Sequence, residues 1–319
     1  MSRSRASSAG PGRRRRKSGQ TVNGAARFRK PWVPYLWVGV PLLLVIYFYV
    51  YPFFNTLRLS FTDTTPLGEG GNWVGLENYS TIFADSSFWT AVLNSVVYAL
   101  IVVPAMTMLP LLLGVLVKEH VPGIGVFRTL YYLPAISSLV VIALAWGAIL
   151  RDNGLVNNFL VGSGLVNSPV PFLTGRWWLI ISSCLITLWS GVPYYMLMYL
   201  TALANIDKSL YEAAAMDGAG AVRTFFTVTV PGVRIMMAFV ATLSMIGCLK
   251  IFTEVQLLSN GTGGVGGRSS TLTMYIRDIG LDPAYGSLGE GSAAAVFLFV
   301  MTVGFIILGQ VLDRRTGEE

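Results

Sequence analysis

Long apolar stretches alternate with shorter polar segments along the chain, and the apolar stretches indicate its structural class. A helix that crosses a bilayer needs about 20 mostly apolar residues. Prolines interrupt the second and third stretches, but membrane helices accept proline when neighbouring groups satisfy the freed carbonyls. The pattern predicts an all-α membrane protein with six transmembrane helices, at roughly residues 33–57, 88–117, 125–150, 178–203, 231–258 and 293–312.

Composition supports a membrane protein over a large soluble helical protein. Hydrophobic residues make up 53% of the 319 residues and charged residues only 12%, whereas a soluble domain has about 25% charged residues. So few charges cannot cover a water-facing surface. Two cysteines do not make a disulfide scaffold, so we expect Cys184 and Cys248 to be free, packed thiols. With a single histidine, we expect neither a metal site nor a catalytic constellation.

The net charge of +7 comes from the first 30 residues, which hold ten basic residues and no acidic one. We expect residues 1–30 to be a disordered basic cytoplasmic tail and residues 31–319 to form the membrane domain. With the tail in the cytoplasm, seventeen of the 23 basic residues lie inside, five lie outside and Lys250 lies within a span, as the positive-inside rule requires. Both termini are therefore expected in the cytoplasm. The tail suits contact with anionic membrane lipid and is not expected to bind nucleic acid.

The inside segment at about 204–230 has a helical pattern that is unusual for a loop. Ser209 and Glu212 have the spacing of a capping box, and Asp217-Gly218 signals a turn that ends the helix. The pattern predicts a helix–turn–helix at the cytoplasmic surface. Its small residues would let another protein approach closely, and Glu212 would offer a directional contact. The alternative is an ordinary loop between spans that happens to be helical.

This segment resembles the EAA loop of ATP-binding-cassette (ABC) importer permeases through Glu212–Ala219, Phe226 and Pro231. The likeness to the maltose/trehalose/glycerol-phosphate permease family covers roughly residues 35–315. It extends to Trp73–Tyr79, Leu133–Ser137 and the order Trp189, Gly191, Pro193, Tyr194. The resemblance implies the type I ABC importer fold with six transmembrane helices. It also implies a cytoplasmic coupling helix that docks on an ATPase subunit through Glu212, Ala213, Ala214, Asp217 and Gly218.

The resemblance further implies a bacterial plasma-membrane assembly. Its parts are a second permease subunit, usually a different chain, an ATPase dimer that binds ATP and Mg, and an extracytoplasmic solute-binding protein. This chain would hold no cofactor and would not be an enzyme, because it lacks the Gly-Lys dipeptide of a phosphate loop. The run Gly261–Gly266 spells G-x-G-x-x-G, but it lies in an outside loop and not in a strand–turn–helix unit.

The solute implied by the resemblance is a carbohydrate, such as trehalose or a similar di- or oligosaccharide. The alternative is an ABC importer for a glycerophosphodiester or another non-sugar solute. Rivals from other classes are weaker. A secondary transporter usually shows inverted repeats, and none is visible in the sequence. A membrane enzyme would need a catalytic constellation.

Candidates for the solute path come from two sources. An ionisable residue inside a span is a functional hypothesis by default, and Lys250 and Glu254 stand four apart in the fifth stretch. They could pair with each other or line the outer cavity. Trp189 and Tyr194 have flat faces suited to sugar stacking, although interfacial belts use the same residue types. The resemblance adds contacts at Trp189, Gly191, Tyr194, Ser244, Gly247, Cys248 and Ile251.

The chain departs from the maltose permease in the fifth span. That permease has asparagines where this chain has Cys248 and Ile251. The departure removes amide hydrogen bonds to sugar hydroxyls and argues against maltose itself as the solute.

Overall fold

A computed structural model describes residues 32–117, 132–282 and 285–317. The predictions for the basic tail at 1–30 and for the inside residues Lys118 and Arg128 therefore lie outside the described residues. The chain divides into two units, residues 1–52 and 53–319, which are treated separately.

The fold is helical, as the apolar pattern predicts. The described residues contain no strand beyond an isolated bridge between Thr62 and Trp73. The helices are α1 Val33–Val45, α2 Tyr51–Leu59, α3 Glu77–Ala84, α4 Ser86–Val117, α5 Leu139–Leu150, α6 Leu155–Gly162, α7 Arg176–Ala204, α8 Lys208–Met216, α9 Ala221–Thr224, α10 Arg234–Leu249, α11 Thr253–Leu258, α12 Leu272–Leu281 and α13 Leu288–Gly317. Single π-helical turns, Ile46–Val50 and Phe225–Thr229, follow α1 and α9. Shorter helical pieces are Val230–Gly232, the 3-10 turn Val265–Gly267 and residues 132–136.

Five helical stretches in the described residues are long and apolar enough to cross a membrane. They are Tyr35–Leu59, Ser86–Val117, Leu139–Gly162, Arg176–Ala204 and Leu288–Val311. A sixth span results when Ala221–Gly232 and Arg234–Leu249, bent by 74° against each other, are counted together. The prediction of six spans is confirmed on that count. Pro104 and Pro110 lie inside the continuous helix α4, which confirms that this span tolerates proline.

The predicted third span is wrong in its bounds. The apolar pattern predicts a continuous helix from about residue 125 to about residue 150. The described chain instead interrupts helical structure at Ser137 and Ser138, and α5 begins at Leu139. The short helix α6 follows it. The last span begins at Leu288, about five residues earlier than the apolar pattern indicates.

The predicted fifth span, 231–258, is also wrong as one continuous helix. A first break falls at Val233 (φ −110°, ψ 11°), and a second separates α10 from α11 at residues 250–252. At the second break, Thr271 Oγ1 donates a 2.8 Å hydrogen bond to the Ile251 carbonyl. A side chain that takes a carbonyl from the helical ladder in this way interrupts the helix.

The core of the larger unit lies where α4, α7, α10 and α13 pack together. Its fully buried side chains include Phe88, Tyr98, Ile186 and Leu249. Buried hydrogen bonds attach the loop before α12 to α4. Asn94 Nδ2 donates to the carbonyls of Arg268 and Ser270, both at 2.8 Å. The loop is thereby held against the start of the second span.

In the smaller unit, the apolar side chains of the first span are exposed, including Tyr35, Trp37 and Leu43. Such a surface suits contact with lipid or with another membrane helix. Both cysteines are buried and free, which confirms the prediction of packed thiols.

Candidate functional site

The helix of the predicted coupling segment, α8, is capped by a residue different from the one expected. Asp207 has extended backbone angles (φ −63°, ψ 131°), and its Oδ1 accepts the Ser209 N–H at 2.9 Å. Ser209 therefore lies in the first turn, and the predicted Ser209 capping box is wrong. Asp207 stands two residues earlier and is an equally good cap former. The backbone N–H of Ser209 favours the charged carboxylate and lowers the pKa of Asp207 below its ordinary value.

The end of α8 has a defined geometry. The Gly218 N–H donates to the Ala215 carbonyl at 3.1 Å, and the Ala219 N–H donates to the Ala214 carbonyl at 2.9 Å. These two bonds form a Schellman motif, which requires a left-handed residue at the position of Gly218. Gly218 has φ +70°, a conformation that glycine adopts without steric cost. The predicted turn at Asp217-Gly218 is confirmed.

One side of α8 packs against the chain and the other is open. Tyr211 Oη lies 3.2 Å from Thr229 Oγ1, and α8 contacts the π-helical turn Phe225–Thr229. Glu212, Ala213, Asp217 and Gly218 are exposed and Ala214 is half-buried. The apolar side chains of Met216, Val222 and Phe226 are also exposed, Met216 to 89%. The structure therefore brings the predicted coupling residues together on a protruding surface with carboxylate and apolar character.

The solute-path candidates separate into two groups. Trp189, Tyr194 and Gly247 are exposed, and the Trp189 ring packs edge-on against Trp146 at a centroid distance of 5.8 Å. Three others, Ser244, Cys248 and Ile251, are buried within the chain.

Gly191 belongs to neither group. An added Cβ at Gly191 would lie 2.6 Å from the Met106 methyl group, so Met106 covers this position. The candidates therefore do not share one surface in this conformation.

Lys250 and Glu254 do not form the expected pair. The break at residues 250–252 removes the helical register that would bring them together. Lys250 is exposed at the end of α10, and the one side-chain ion pair among the described residues joins Arg277 to Asp278. Glu254 is only 5% exposed, and its Oε1 accepts a 2.7 Å hydrogen bond from Thr187 Oγ1.

Two further residues complete a buried relay that the sequence did not reveal. Tyr98 Oη lies 2.5 Å from Thr187 Oγ1. The Tyr98 hydroxyl also lies 3.3 Å from the Ser183 carbonyl, to which it can donate. Thr187 stands four residues before Gly191 and seven before Tyr194, on the same helix face. The polar residue Thr187 on that face was the signal in the sequence that could have revealed this arrangement. Through it, α4 and α7 together hold the Glu254 carboxylate.

We also searched the described residues for a set of metal ligands. In the parts of the chain that the structure covers, no cluster of three or more His, Cys, Asp or Glu side chains could hold a metal ion.

Comparisons with known proteins agree with this architecture. The family described as "Binding-protein-dependent transport system inner membrane component" matches residues 79–318. The lactose transport system permease protein LacF of Rhizobium radiobacter is 32% identical over 246 residues, which cover 77% of this chain and 82% of LacF. The arabinooligosaccharides transport system permease protein AraP of Bacillus subtilis is 29% identical over 279 residues, 86% of each chain.

A solved structure has the same fold. It is a bacterial alginate ABC transporter in complex with alginate pentasaccharide-bound periplasmic protein. One of its chains superimposes with a TM-score of 0.75 at 22% identity, covering 89% of this chain and 95% of that chain.

Proposed function

This chain belongs to the family of binding-protein-dependent transport system inner membrane components, and we propose on that premise that it is a permease subunit of an ATP-driven ABC importer for a carbohydrate. It is a multi-pass inner-membrane transport component. The carbohydrate assignment is supported by relatives whose names specify lactose and arabinooligosaccharides, and by a neighbour of the same fold that is an alginate transporter.

The observation that carries the proposal is the exposed surface of α8. A short helix with a polar cap at its start and a Schellman turn at its end keeps its shape while its outer side stays free to bind. We assign Glu212 as the polar anchor to an ATPase subunit, with Ala213 and Ala214 allowing close approach. Asp217-Gly218 sets the angle of the helix. ATP and Mg would be bound by the ATPase dimer and not by this chain.

The same contacts suggest how movement reaches the membrane. When ATP closes the ATPase dimer, the two coupling helices are drawn together with it. In this chain α8 packs against Phe225–Thr229, which leads through the bend at Val233 into α10. Displacement of α8 would therefore move α10, whose far end carries Gly247, Cys248 and Lys250.

We assign the remaining parts of the assembly from charge and exposure. Both termini are cytoplasmic, because this orientation places most basic residues inside. A second, different permease chain lies against the exposed residues Trp189, Tyr194 and Gly247, and the solute passes along that boundary. The residues that line this passage are supported by a buried layer, which consists of Ser244, Cys248, Ile251 and Glu254. An extracytoplasmic solute-binding protein delivers the solute to the opposite end of the chain.

The test is ATP-driven uptake into proteoliposomes that contain this chain with its partner permease, ATPase and binding protein. Lactose, trehalose and arabinotriose serve as labelled solutes, with a glycerophosphodiester in parallel. Glu212→Lys is expected to abolish uptake while membrane insertion stays normal, because a positive charge replaces the anchoring carboxylate. Glu69→Lys makes the same change on an exposed outer loop and should transport normally.

Each contrary result has its own meaning. Normal uptake by Glu212→Lys would contradict the coupling assignment. If the glycerophosphodiester is taken up and none of the sugars is, the carbohydrate assignment is contradicted. The importer assignment would still hold.

A further inference from the structure

A cavity of about 910 Å³ opens at the end of the larger unit opposite α8. Its walls come from the end of α5, the residues just before α7 and the glycine-rich loop after α11. Helix α7 starts beside this cavity and runs across the membrane domain to α8. The cavity therefore lies at the outer face when α8 is cytoplasmic.

Four exposed polar side chains on the cavity walls have no partner within the described protein. Arg151, Asp152, Asn153 and Asn260 all line it. Among the described residues, none of these four side chains takes part in a hydrogen bond, and none forms an ion pair. A guanidinium, a carboxylate and two amides thus present both donors and acceptors to the same space.

The glycine-rich loop that forms one wall of the cavity has unusual backbone angles. Asn260 has φ +51° and is the one described non-glycine residue with positive φ, a conformation that asparagine tolerates better than most residues. Gly264 has φ +81°, and an added Cβ there would lie 2.9 Å from Ser269 Oγ. The absence of a side chain at Gly264 therefore lets this loop pack closely against Ser269 and Leu179.

We propose that this cavity is an outer subsite for a neutral saccharide on its way from the binding protein to the membrane passage. Sugar hydroxyls both donate and accept hydrogen bonds, which matches the mixture of side chains. Apolar Leu173, Leu258 and Val265 also line the walls, as ligand pockets of about 300–1,000 Å³ commonly show. One Arg and one Asp leave the lining without net charge, so a neutral sugar fits better than an anionic one. The inference rests on the proposed function.

Binding to the full-length chain in lipid nanodiscs tests the subsite. Saturation-transfer difference NMR would measure lactose and arabinotriose, with sn-glycerol 3-phosphate as an anionic probe. Asn260→Gly removes the amide but tolerates the positive φ, and Asn153→Ala removes a second amide. Each is expected to weaken sugar binding by about 2- to 10-fold, the effect of one net hydrogen bond. Asn205→Ala, an exposed amide at the other end of α7, should bind as wild type.

Three outcomes would overturn the subsite. The wild-type chain could bind neither sugar, or both variants could bind as tightly as the wild type. The variants could also lose association with the solute-binding protein, measured by biolayer interferometry, while sugar signals persist, which would make the cavity a protein-docking surface. ATP-driven sugar uptake by the full assembly is measured separately. Uptake with no subsite refutes only this inference, whereas no uptake refutes the proposed function.

Discussion

Gly218 shows how a single backbone conformation can determine the shape of a docking surface. Its N–H and that of Ala219 satisfy the last carbonyls of α8, and only a left-handed residue allows both bonds. An L side chain in this conformation costs about 1–2 kcal/mol. No heavy atom would lie within 4 Å of an added Cβ, so the cost of a substitution comes from the backbone and not from packing.

We predict that Gly218→Val opens the end of α8 and abolishes transport while the protein remains folded and inserted. The matched control is Gly220→Val, because Gly220 has extended angles (φ −70°, ψ 169°) and open space at its Cβ. Hydrogen exchange of the α8 amides and uptake by the full assembly are the measurements. Equal protection and equal uptake in the two variants would show that the turn does not control coupling.

Thr187 is the residue on which the buried carboxylate depends. Its hydroxyl is hydrogen-bonded to the Tyr98 hydroxyl and donates to Glu254, so it joins α4, α7 and α11. Thr187→Val keeps the shape but leaves Glu254 without this donor. Loss of a hydrogen bond to a buried charged or polar group costs about 1–3 kcal/mol.

We therefore expect Thr187→Val to lower the thermal unfolding temperature of the purified protein, and Thr187→Ser to retain most of it. The hydroxyl of serine can make the same two bonds, which makes it the matched control. An unchanged unfolding temperature in the valine variant would mean that Glu254 finds another donor or does not need one.

At the scale of elements, α12 and α13 approach each other closely where they cross at Gly280 and Gly291. An added Cβ at Gly291 would lie 2.6 Å from Gly280 Cα and 3.1 Å from its backbone nitrogen. Backbone atoms cannot move aside as a flexible side chain can. An added Cβ at Gly280 would lie 3.4 Å from Gly291 Cα, which is close to ordinary contact.

Gly291→Ala is thus expected to destabilise the protein by about 1–3 kcal/mol, the usual cost of overpacking, and Gly280→Ala by clearly less. Thermal unfolding of both variants in detergent tests the difference. A reversed order would show that the two helices separate at this crossing at little cost.

The elements that the sequence predicts well are those determined by local pattern. The apolar stretches predict the spans because a bilayer demands length and hydrophobicity from each segment by itself. The break between α10 and α11 could not be predicted, because it depends on a hydrogen bond from Thr271, twenty residues after Ile251. The cap of α8 was ambiguous locally, since Asp207 and Ser209 are both good cap formers only two residues apart.

The candidate site divides in the same way. The turn at Asp217-Gly218 is encoded locally and was predicted from the dipeptide. The exposure of each solute-path candidate depends on packing between segments that are distant in the sequence. Gly191, for example, is covered by Met106. No local pattern carries that information. The expected pairing of Lys250 with Glu254 failed because it assumed one uninterrupted helix.

At the scale of the whole molecule, the proposed orientation places α8 and the outer cavity on opposite sides of the membrane. Met216 in α8 and Leu67 in the first outer loop are both highly exposed, and both native cysteines are buried. Single substitutions Met216→Cys and Leu67→Cys therefore provide a matched pair of reporters.

In intact spheroplasts, a membrane-impermeant maleimide should label Leu67→Cys and not Met216→Cys. After the membrane is opened, both variants should be labelled, while the wild-type protein stays largely unlabelled. Labelling of Met216→Cys in intact cells would reverse the orientation and would remove α8 from the reach of a cytoplasmic ATPase.

The bend of 74° at Val233 lets the two arms of the fifth span act as a lever. A push along Ala221–Gly232 has only a small component along α10, so α10 turns about the bend and does not slide along its own axis. The 16 residues of α10 extend for about 24 Å, so about 10° of rotation displaces the far end by about 4 Å. Residues near the pivot hardly move. Because of the bend, a small displacement of Ala221–Gly232 at one membrane face would produce a larger lateral displacement of the far end of α10 near the other face.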